Sequence, residues 1–358
     1  MRKRARIIYN PTSGREAMRN DLVDILAVYE QAGYETSAFA TTPAPNSAKN
    51  EATRAAKEGF DLIVAAGGDG TLSEVVNGIA GLEHRPALAI IPAGTTNDYA
   101  RALRIPRDDP IAAAKLILRK NKKFKIDIGQ AGDNYFMNIA AGGTLTELTY
   151  EVPSQMKSLF GYLAYLAKGA ELLPRIKPVE MDIKYDGHEY RGQASTILIA
   201  LTNSVGGFEQ IVPDAALDDG KFTMIIVKES SLIGMMRLMA KALQGKHIGD
   251  PGIIYAKASE IDITPVNSED RVMINLDGEY GGDAPMHFRN LKQHLEVVAN
   301  LDEIPDDAIT VSPDMKRVED DFVREVDNIH DDEALSAVDD VQDLYDSIQG
   351  IPTPANEA

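Results

Sequence analysis

Short apolar runs alternate with stretches of helical periodicity through residues 1–128. Arg6-Ile7-Ile8-Tyr9 reads as a strand running into Asn10-Pro11-Thr12-Ser13-Gly14, after which Met18, Leu22, Ile25 and Tyr29 fall on one face of a helix ending at Gly33. Tyr34 to Ala40 predicts a second strand, closed by Thr41-Thr42-Pro43, and an Ala-rich helix from about Ser47 to Glu58 follows. Leu62 to Ala66 is a run of small and β-branched residues, read as a buried strand; it ends in Gly67-Gly68-Asp69-Gly70-Thr71. Leu72, Val75, Val76 and Ile79 then share a helix face that stops near Gly78 and Gly81. Ser13 with Glu16, and Thr71 with Glu74, have the spacing of capping boxes. Ala87 to Ile91 is the fourth strand, and Pro92-Ala93-Gly94-Thr95-Thr96-Asn97-Asp98 turns into a helix. Asp109-Pro110 caps another through Leu118, and Lys122 to Ile128 is a strand carrying Asp127. The pattern predicts an α/β fold: a doubly wound, Rossmann-like domain over residues 1–128, with three polar turns at the C-terminal ends of its strands, the edge where such sheets bind ligands.

Beyond residue 128 the alternation gives way to strands separated by turns. Tyr135 to Ala140, Pro178 to Tyr185, Ala194 to Thr202, Phe222 to Val227, Ile261 to Thr264, Val272 to Leu276 and His294 to Val298 predict a mostly β sandwich domain over residues 129–300, whose last strand is free to return to the first domain. Helices are expected at Leu159 to Leu173 and, with Met235, Met236 and Met239, at Leu232 to Leu243. Their apolar stripes suit a core, a lipid surface or a second subunit. The segment 301–358 has too few large apolar residues for a core of its own; amphipathic helices and disorder both remain open for it.

Charge sharpens this division. Of the 55 Asp and Glu residues, 18 fall within 301–358 against Lys316, Arg317 and Arg324, so the net charge of −18 belongs mainly to the tail. Nine Lys and Arg lie between Arg101 and Lys125 against Asp108 and Asp109, a solvated helix face or a site for phosphates or anionic headgroups. A nucleic-acid partner is not expected. The chain has no Cys, which excludes disulfides, thiolate zinc sites and a cysteine nucleophile. No apolar run reaches the roughly 20 residues of a membrane span, and Ile7-Ile8-Tyr9 is too short for a secretion signal.

The chemistry lies in the turns. Glycines admit a phosphate close to the main chain, and the amides of a following helix favour an anion. Asp69 inside such a loop repels bare phosphate, so it makes best sense beside Mg²⁺ or water. Asp218-Asp219-Gly220 suits a divalent cation and is equally a turn between strands. Asn275-Leu276-Asp277-Gly278-Glu279 puts two carboxylates around a glycine turn; Glu279 is the candidate base toward an alcohol, with Asp277 orienting it or helping to hold metal.

Together, Asn10 to Gly14, Gly67 to Thr71, Gly94 to Asp98, Leu217 to Gly220 and Asp277 to Glu279 resemble, in order and spacing over about residues 1–300, the diacylglycerol kinase catalytic family, which is related to sphingosine kinases and NAD kinases. The likeness is nearest to its soluble, membrane-associating Gram-positive members. It implies transfer of the ATP γ-phosphoryl to diacylglycerol, which returns the product to phospholipid synthesis. By resemblance Asn10, Pro11, Thr12, Ser13, Gly14, Thr41, Gly67, Gly68, Asp69, Gly70, Thr71, Leu72, Ser73, Glu74 and Thr95 surround ATP. Glu279 is then the proton acceptor. Asp69 and Asp127 then belong to the acidic network around catalytic Mg²⁺, and the Asp219 side chain with main-chain oxygens of Ala216 and Lys221 holds a structural Mg²⁺. The resemblance further implies a homodimer that is cytoplasmic and peripherally bound to an anionic lipid surface at the inner face of the membrane. Ser73 departs from the Asn common at its position, and the tail lies outside the family pattern. A kinase of another lipid alcohol or of NAD, and a non-catalytic nucleotide or lipid binder, are the alternatives.

Overall fold

The computed structural model describes residues 2–13, 17–119, 123–143, 178–203, 211–228 and 232–299. Gly14, the Glu16 half of the first capping box, the helix expected at 159–173 and the tail from 301 lie outside the described residues.

Four strands form the parallel part of a ten-stranded sheet in the order β2-β1-β3-β4, with β1 Lys3–Tyr9, β2 Tyr34–Ala40, β3 Leu62–Gly67 and β4 Ala87–Pro92. Helix α1, Ala17–Gln31, connects β1 to β2, whereas α2, Ser47–Lys57, and α3, Asp69–Ile79, carry the chain the other way. Right-handed crossovers therefore put α1 on one face and α2 and α3 on the other, and the order reverses between β1 and β3. All six residues of β3 and all six of β4 are buried, as covering on both faces requires. Each large aliphatic side chain so buried contributes about 1.5–3 kcal/mol. Met18, Ile25 and Tyr29 of α1 face this core as their spacing predicts.

After β4 come the short α4, Asp98–Ala102, and α5, Pro110–Lys115, continued by a 3-10 turn at Leu116–Leu118. Asp109 caps α5, its carboxylate accepting the Ala112 N–H at 2.8 Å. The second capping box is a different object from the one its spacing predicts. Helix α3 starts two residues before Thr71, whose side chain packs against Gly67 so closely that a Cβ there would lie 2.5 Å from Thr71 Oγ1. Glu74 turns away and accepts the Ala48 and Lys49 amides at 2.8 and 3.3 Å, capping α2 instead.

The second half is antiparallel. A six-stranded sheet, β12-β11-β10-β7-β14-β15, comprises β7 Ile139–Gly143, β10 Thr196–Ala200, β11 Phe222–Val227, β12 Ile253–Ala258, β14 Met273–Leu276 and β15 Glu279–Asp283. It packs on the far end of the ten-stranded sheet, where β8 Val179–Tyr185, β9 His188–Ala194, β13 Glu260–Pro265 and β16 Met286–Val298 lie, with β5 Lys123–Ala131 pairing β16 and β6 Asn134–Phe136. Phe136 stacks on Phe222 at 5.7 Å between them. The strand expected from Tyr135 to Ala140 is two strands in different sheets, β6 and β7, because the chain crosses the sandwich at Met137-Asn138. Strands β9 and β15 escape the pattern because both are polar on the two faces; β12 is apolar but follows closely on Gly249 and Gly252. Helix α6, Leu232–Leu243, stands where predicted.

Strand β16 belongs to both halves. Its first part pairs with β13, and Val297 pairs in parallel with Leu88 of β4. Between Leu291 and Leu295 the register slips, with Gln293 at φ 48°. Among the described residues no helix is long and apolar enough to cross a membrane.

Candidate active site

Three turns meet at the C-terminal edge of the parallel strands, at the reversal of strand order. Asn10 N–H donates to Ala66 O at 2.9 Å and Thr41 N–H to Tyr9 O at 2.8 Å, so the ends of β1, β2 and β3 are tied together. Asn10 folds its turn by accepting the Thr12 amide at 3.0 Å and hydroxyl at 2.8 Å; Pro11 and Ser13 lie half-buried beside it. The β3 and β4 turns touch through backbone: a Cβ on Gly94 would lie 2.6 Å from the Gly68 Cα. Asn97, left-handed at φ 49°, holds this contact by accepting the Gly94 N–H at 2.9 Å and donating to Gly94 O at 2.8 Å. Thr95 stands exposed at the tip, and Gly70 is open at the start of α3. Leu72 of the predicted nucleotide set is core, and Glu74 is the α2 cap.

Negative charge gathers beside these turns. Asp69 Oδ2 accepts the Asn97 N–H at 3.0 Å. Its pKa is nevertheless pushed up to about 6, by burial first and then by the charge of Asp98, with Asp277 adding to it. Asp277, at φ 52°, spans the β6–β7 crossing: Oδ2 accepts Met137 N–H at 2.7 Å, and Oδ1 accepts Asn138 and Ile139 N–H at 2.9 Å each. Burial raises it to about 6 as well, against those amides and with the Asp98 charge. Neither carboxylate pairs with a described Lys or Arg. Among the described residues no three acidic or histidine side chains are close enough to ligate one ion by themselves. A Mg²⁺ held here would take most of its shell from water and phosphate, as that ion prefers.

Glu279 comes from the other half. The β14–β15 hairpin carries it over the first turn of α3, with Oε1 3.5 Å from where a Cβ of Gly70 would be. Beside it opens a cavity of about 330 Å³ along α3, lined among others by Gly70, Ser73, Glu74, Asn77, Tyr135 and Glu279.

Asp127 lies at the β16 slip. It is buried, and it accepts the Gln293 N–H at 2.7 Å and the Gly220 N–H at 2.6 Å; burial raises its pKa against these bonds. It thereby links the slip to the acidic loop. In that loop Asp219 Oδ1 accepts the Lys221 N–H at 2.8 Å, while Lys257 Nζ is 3.3 Å from Asp219 Oδ2 and donates to Asp214 O at 2.7 Å. Lys292 Nζ reaches Asp219 O at 3.3 Å. Ala216 is half-buried in the same loop. A cation at Asp219 would have to displace Lys257, so this loop fits Mg²⁺ less well than the turns do.

Residues 4–131 match the family model described as the diacylglycerol kinase catalytic domain, and residues 146–299 match the YegS C-terminal NAD kinase beta sandwich-like domain. Over 300 residues the chain is 53% identical to a diacylglycerol kinase of Bacillus subtilis (strain 168), covering 83% of this chain and 96% of that one. The chain belongs to the diacylglycerol kinase family. It is 49% identical over 310 residues to a diacylglycerol kinase of Staphylococcus aureus (strain bovine RF122 / ET3-1), covering 87% and 96%. A crystal structure of a diacylglycerol kinase from Bacillus anthracis str. Sterne superposes with a TM-score of 0.65 at 26% identity, covering 84% of this chain and 97% of that one. A second crystal structure from that strain gives 0.72 at 27%, covering 84% and 96%. Family membership makes the chain a kinase, and ATP is the co-substrate a kinase requires. Asn97 and Asp98, read from sequence only as part of the Gly94 to Asp98 turn and given no role of their own, act at the site: Asn97 locks the two glycine turns, and the charge of Asp98 raises both neighbours. Asn97 carried a signal, since Asn after a Gly-Thr-Thr turn readily takes the left-handed conformation.

Proposed function

We propose that this kinase phosphorylates the free hydroxyl of a diacylglycerol at the surface of an anionic bilayer, making phosphatidic acid and ADP. The observation that carries the reading is the position of Glu279 over the first turn of α3, above the paired glycine turns. The leading amides of α3, which a helix cannot pair within itself, suit phosphates, and the neighbouring cavity is large enough to admit the rest of the nucleotide. Glu279 takes the hydroxyl proton as the alcohol oxygen bonds to the γ-phosphorus. The bond from that phosphorus to the bridging oxygen breaks, and ADP leaves. Asp69, with Asp98 and Asp277 behind it, holds the negative field that draws a divalent cation onto the phosphates. Mg²⁺ bound there would neutralise charge on the phosphate oxygens. The basic stretch from Arg101 to Lys125 supports docking on anionic lipid from one side of the membrane. A homodimer, and a second Mg²⁺ at Asp219 in exchange for Lys257, complete the proposal.

The test is transfer of labelled γ-phosphate from ATP to diacylglycerol in mixed micelles with anionic lipid, beside a sphingoid base as competing acceptor. Wild type should label phosphatidic acid, and Glu279→Gln should do so about 10²–10⁴-fold more slowly. Preferential labelling of the sphingoid base would overturn the substrate, and an unimpaired Glu279→Gln would overturn the base. Sedimentation velocity tests the dimer.

A further inference from the structure

Helix α3 carries the phosphate-facing turn at its N-terminus, yet Glu279 arrives from a hairpin of the sandwich. Something must hold the two in register. On one side α3 is seated against α2: Thr53 Oγ1 lies 2.8 Å from Gly78 O and 2.9 Å from Lys49 O, its one proton shared between them, and a Cβ on Gly78 would lie 2.5 Å from Lys49 O. That contact leaves no room for α3 to roll. On the other side stands Asn77. Its Oδ1 accepts the Tyr135 N–H at 2.9 Å, and its Nδ2 donates to Tyr135 O at 2.9 Å, so one side chain pairs with both backbone groups of a single β6 residue as a neighbouring strand would. The same Nδ2 donates to Ser73 O at 2.9 Å, which fixes the amide's orientation on its own helix. Next to Tyr135, Asn134 points its Nδ2 at Gly281 O of β15 at 3.5 Å, and β15 begins with Glu279. Asn77 lines the cavity, but both of its N–H donors already have partners in the protein.

We propose that Asn77 is a positioning residue that clamps α3 to β6 and so keeps the β14–β15 hairpin, with Glu279, over Gly70. The proposal rests on Glu279 being the base. It assigns Asn77 an effect on the chemical step and none on nucleotide affinity.

The experiment is a double-mutant cycle with steady-state kinetics in mixed micelles: Asn77→Ala and Asn77→Asp, each in the wild-type and Glu279→Gln backgrounds, with melting temperatures alongside. Misplacing a base by a fraction of an ångström to an ångström lowers kcat by about 10–100-fold, with KM for ATP staying within about threefold. In the Glu279→Gln background the same change should cost less than about twofold, since residues acting as a unit are non-additive. Asn77→Asp guards against a misfolded alanine variant: it keeps the shape and the acceptor for Tyr135 N–H but sets a carboxylate oxygen against Tyr135 O, so it should lose kcat in the same way. A raised KM for ATP at unchanged kcat would make Asn77 a nucleotide contact and overturn the proposal. An equal loss in both backgrounds would make it structural and overturn it too. If Glu279→Gln alone keeps the wild-type rate, the base assignment falls and the proposal falls with it, an outcome distinct from a slow Glu279→Gln whose loss Asn77→Ala multiplies.

Discussion

Asp69 and Asp277 sit among backbone amides with a third carboxylate, Asp98, raising both, whereas Asp219 and Asp186 sit beside lysines. Burial works on Asp186 as it does on Asp69, yet the Lys221 ammonium at 2.6 Å and the amides of Ser259 and Glu260 hold Asp186 below its usual range. Both regions read in the sequence as acidic residues beside glycine. In one, Asp69 and Asp277 have amides but no described Lys or Arg beside them, which invites a cation; in the other, lysines already stand beside the carboxylates. Acidity in a turn thus says little about chemistry until its countercharges are located.

The sharpest way to test that contrast is Asp69→Asn. Loss of one preorganised charge at the phosphates should lower kcat by about 10²–10³-fold. The same change should stabilise the ligand-free protein at neutral pH. A carboxyl raised in the folded state costs nothing below its unfolded value near 4, and its ionisation costs progressively more as pH rises to about 6. The variant should therefore melt above wild type at pH 7.5, with the difference vanishing toward pH 4. Equal melting at pH 7.5 would show that Asp69 is compensated after all.

Gly94→Ala attacks the same region through shape. Its Cβ would lie 2.6 Å from the Gly68 Cα and 2.8 Å from Asn97 Oδ1, so backbone must move. A stability loss of about 1–3 kcal/mol is expected in denaturant melts, together with a raised KM for ATP. An unchanged KM would separate the turn contact from nucleotide binding.

A smaller effect concerns pH. Asp69 and Asp277 must be ionised to attract a cation, so kcat/KM should fall as pH drops through about 6. Because Asp98 raises both, Asp98→Asn should move that midpoint to lower pH; a fixed midpoint would assign it to another group. The smallest effect is expected from Lys257→Met, which removes a partly exposed ion pair and should change stability by under about 1 kcal/mol. It would also leave Asp219 with less countercharge and enlarge the rise in melting temperature on adding Mg²⁺. No enlargement would mean that Lys257 does not guard the loop.

Much of this was legible along the chain. The β-branched runs of β3 and β4, the helix face of Met18, Ile25 and Tyr29, and the Asp109 cap each act within a few residues, so local pattern sufficed to predict strand, turn and helix. The glycine turns were legible for the same reason. The Thr71 and Glu74 pair shows where this fails: the spacing was right for a cap, but a neighbouring helix offered Glu74 better donors and Gly67 offered Thr71 a place to pack.

The order of elements, the turns at the sheet edge and the family follow from residue types and spacings close together in the chain. What each carboxylate does follows from segments that only folding brings together. Asp69 is held by an amide 28 residues away, Asp277 by amides up to 140 away, and Asp219 is neutralised by a lysine 38 away. Charge is balanced in space, over a few ångströms, and no local pattern records which partners the fold brings there.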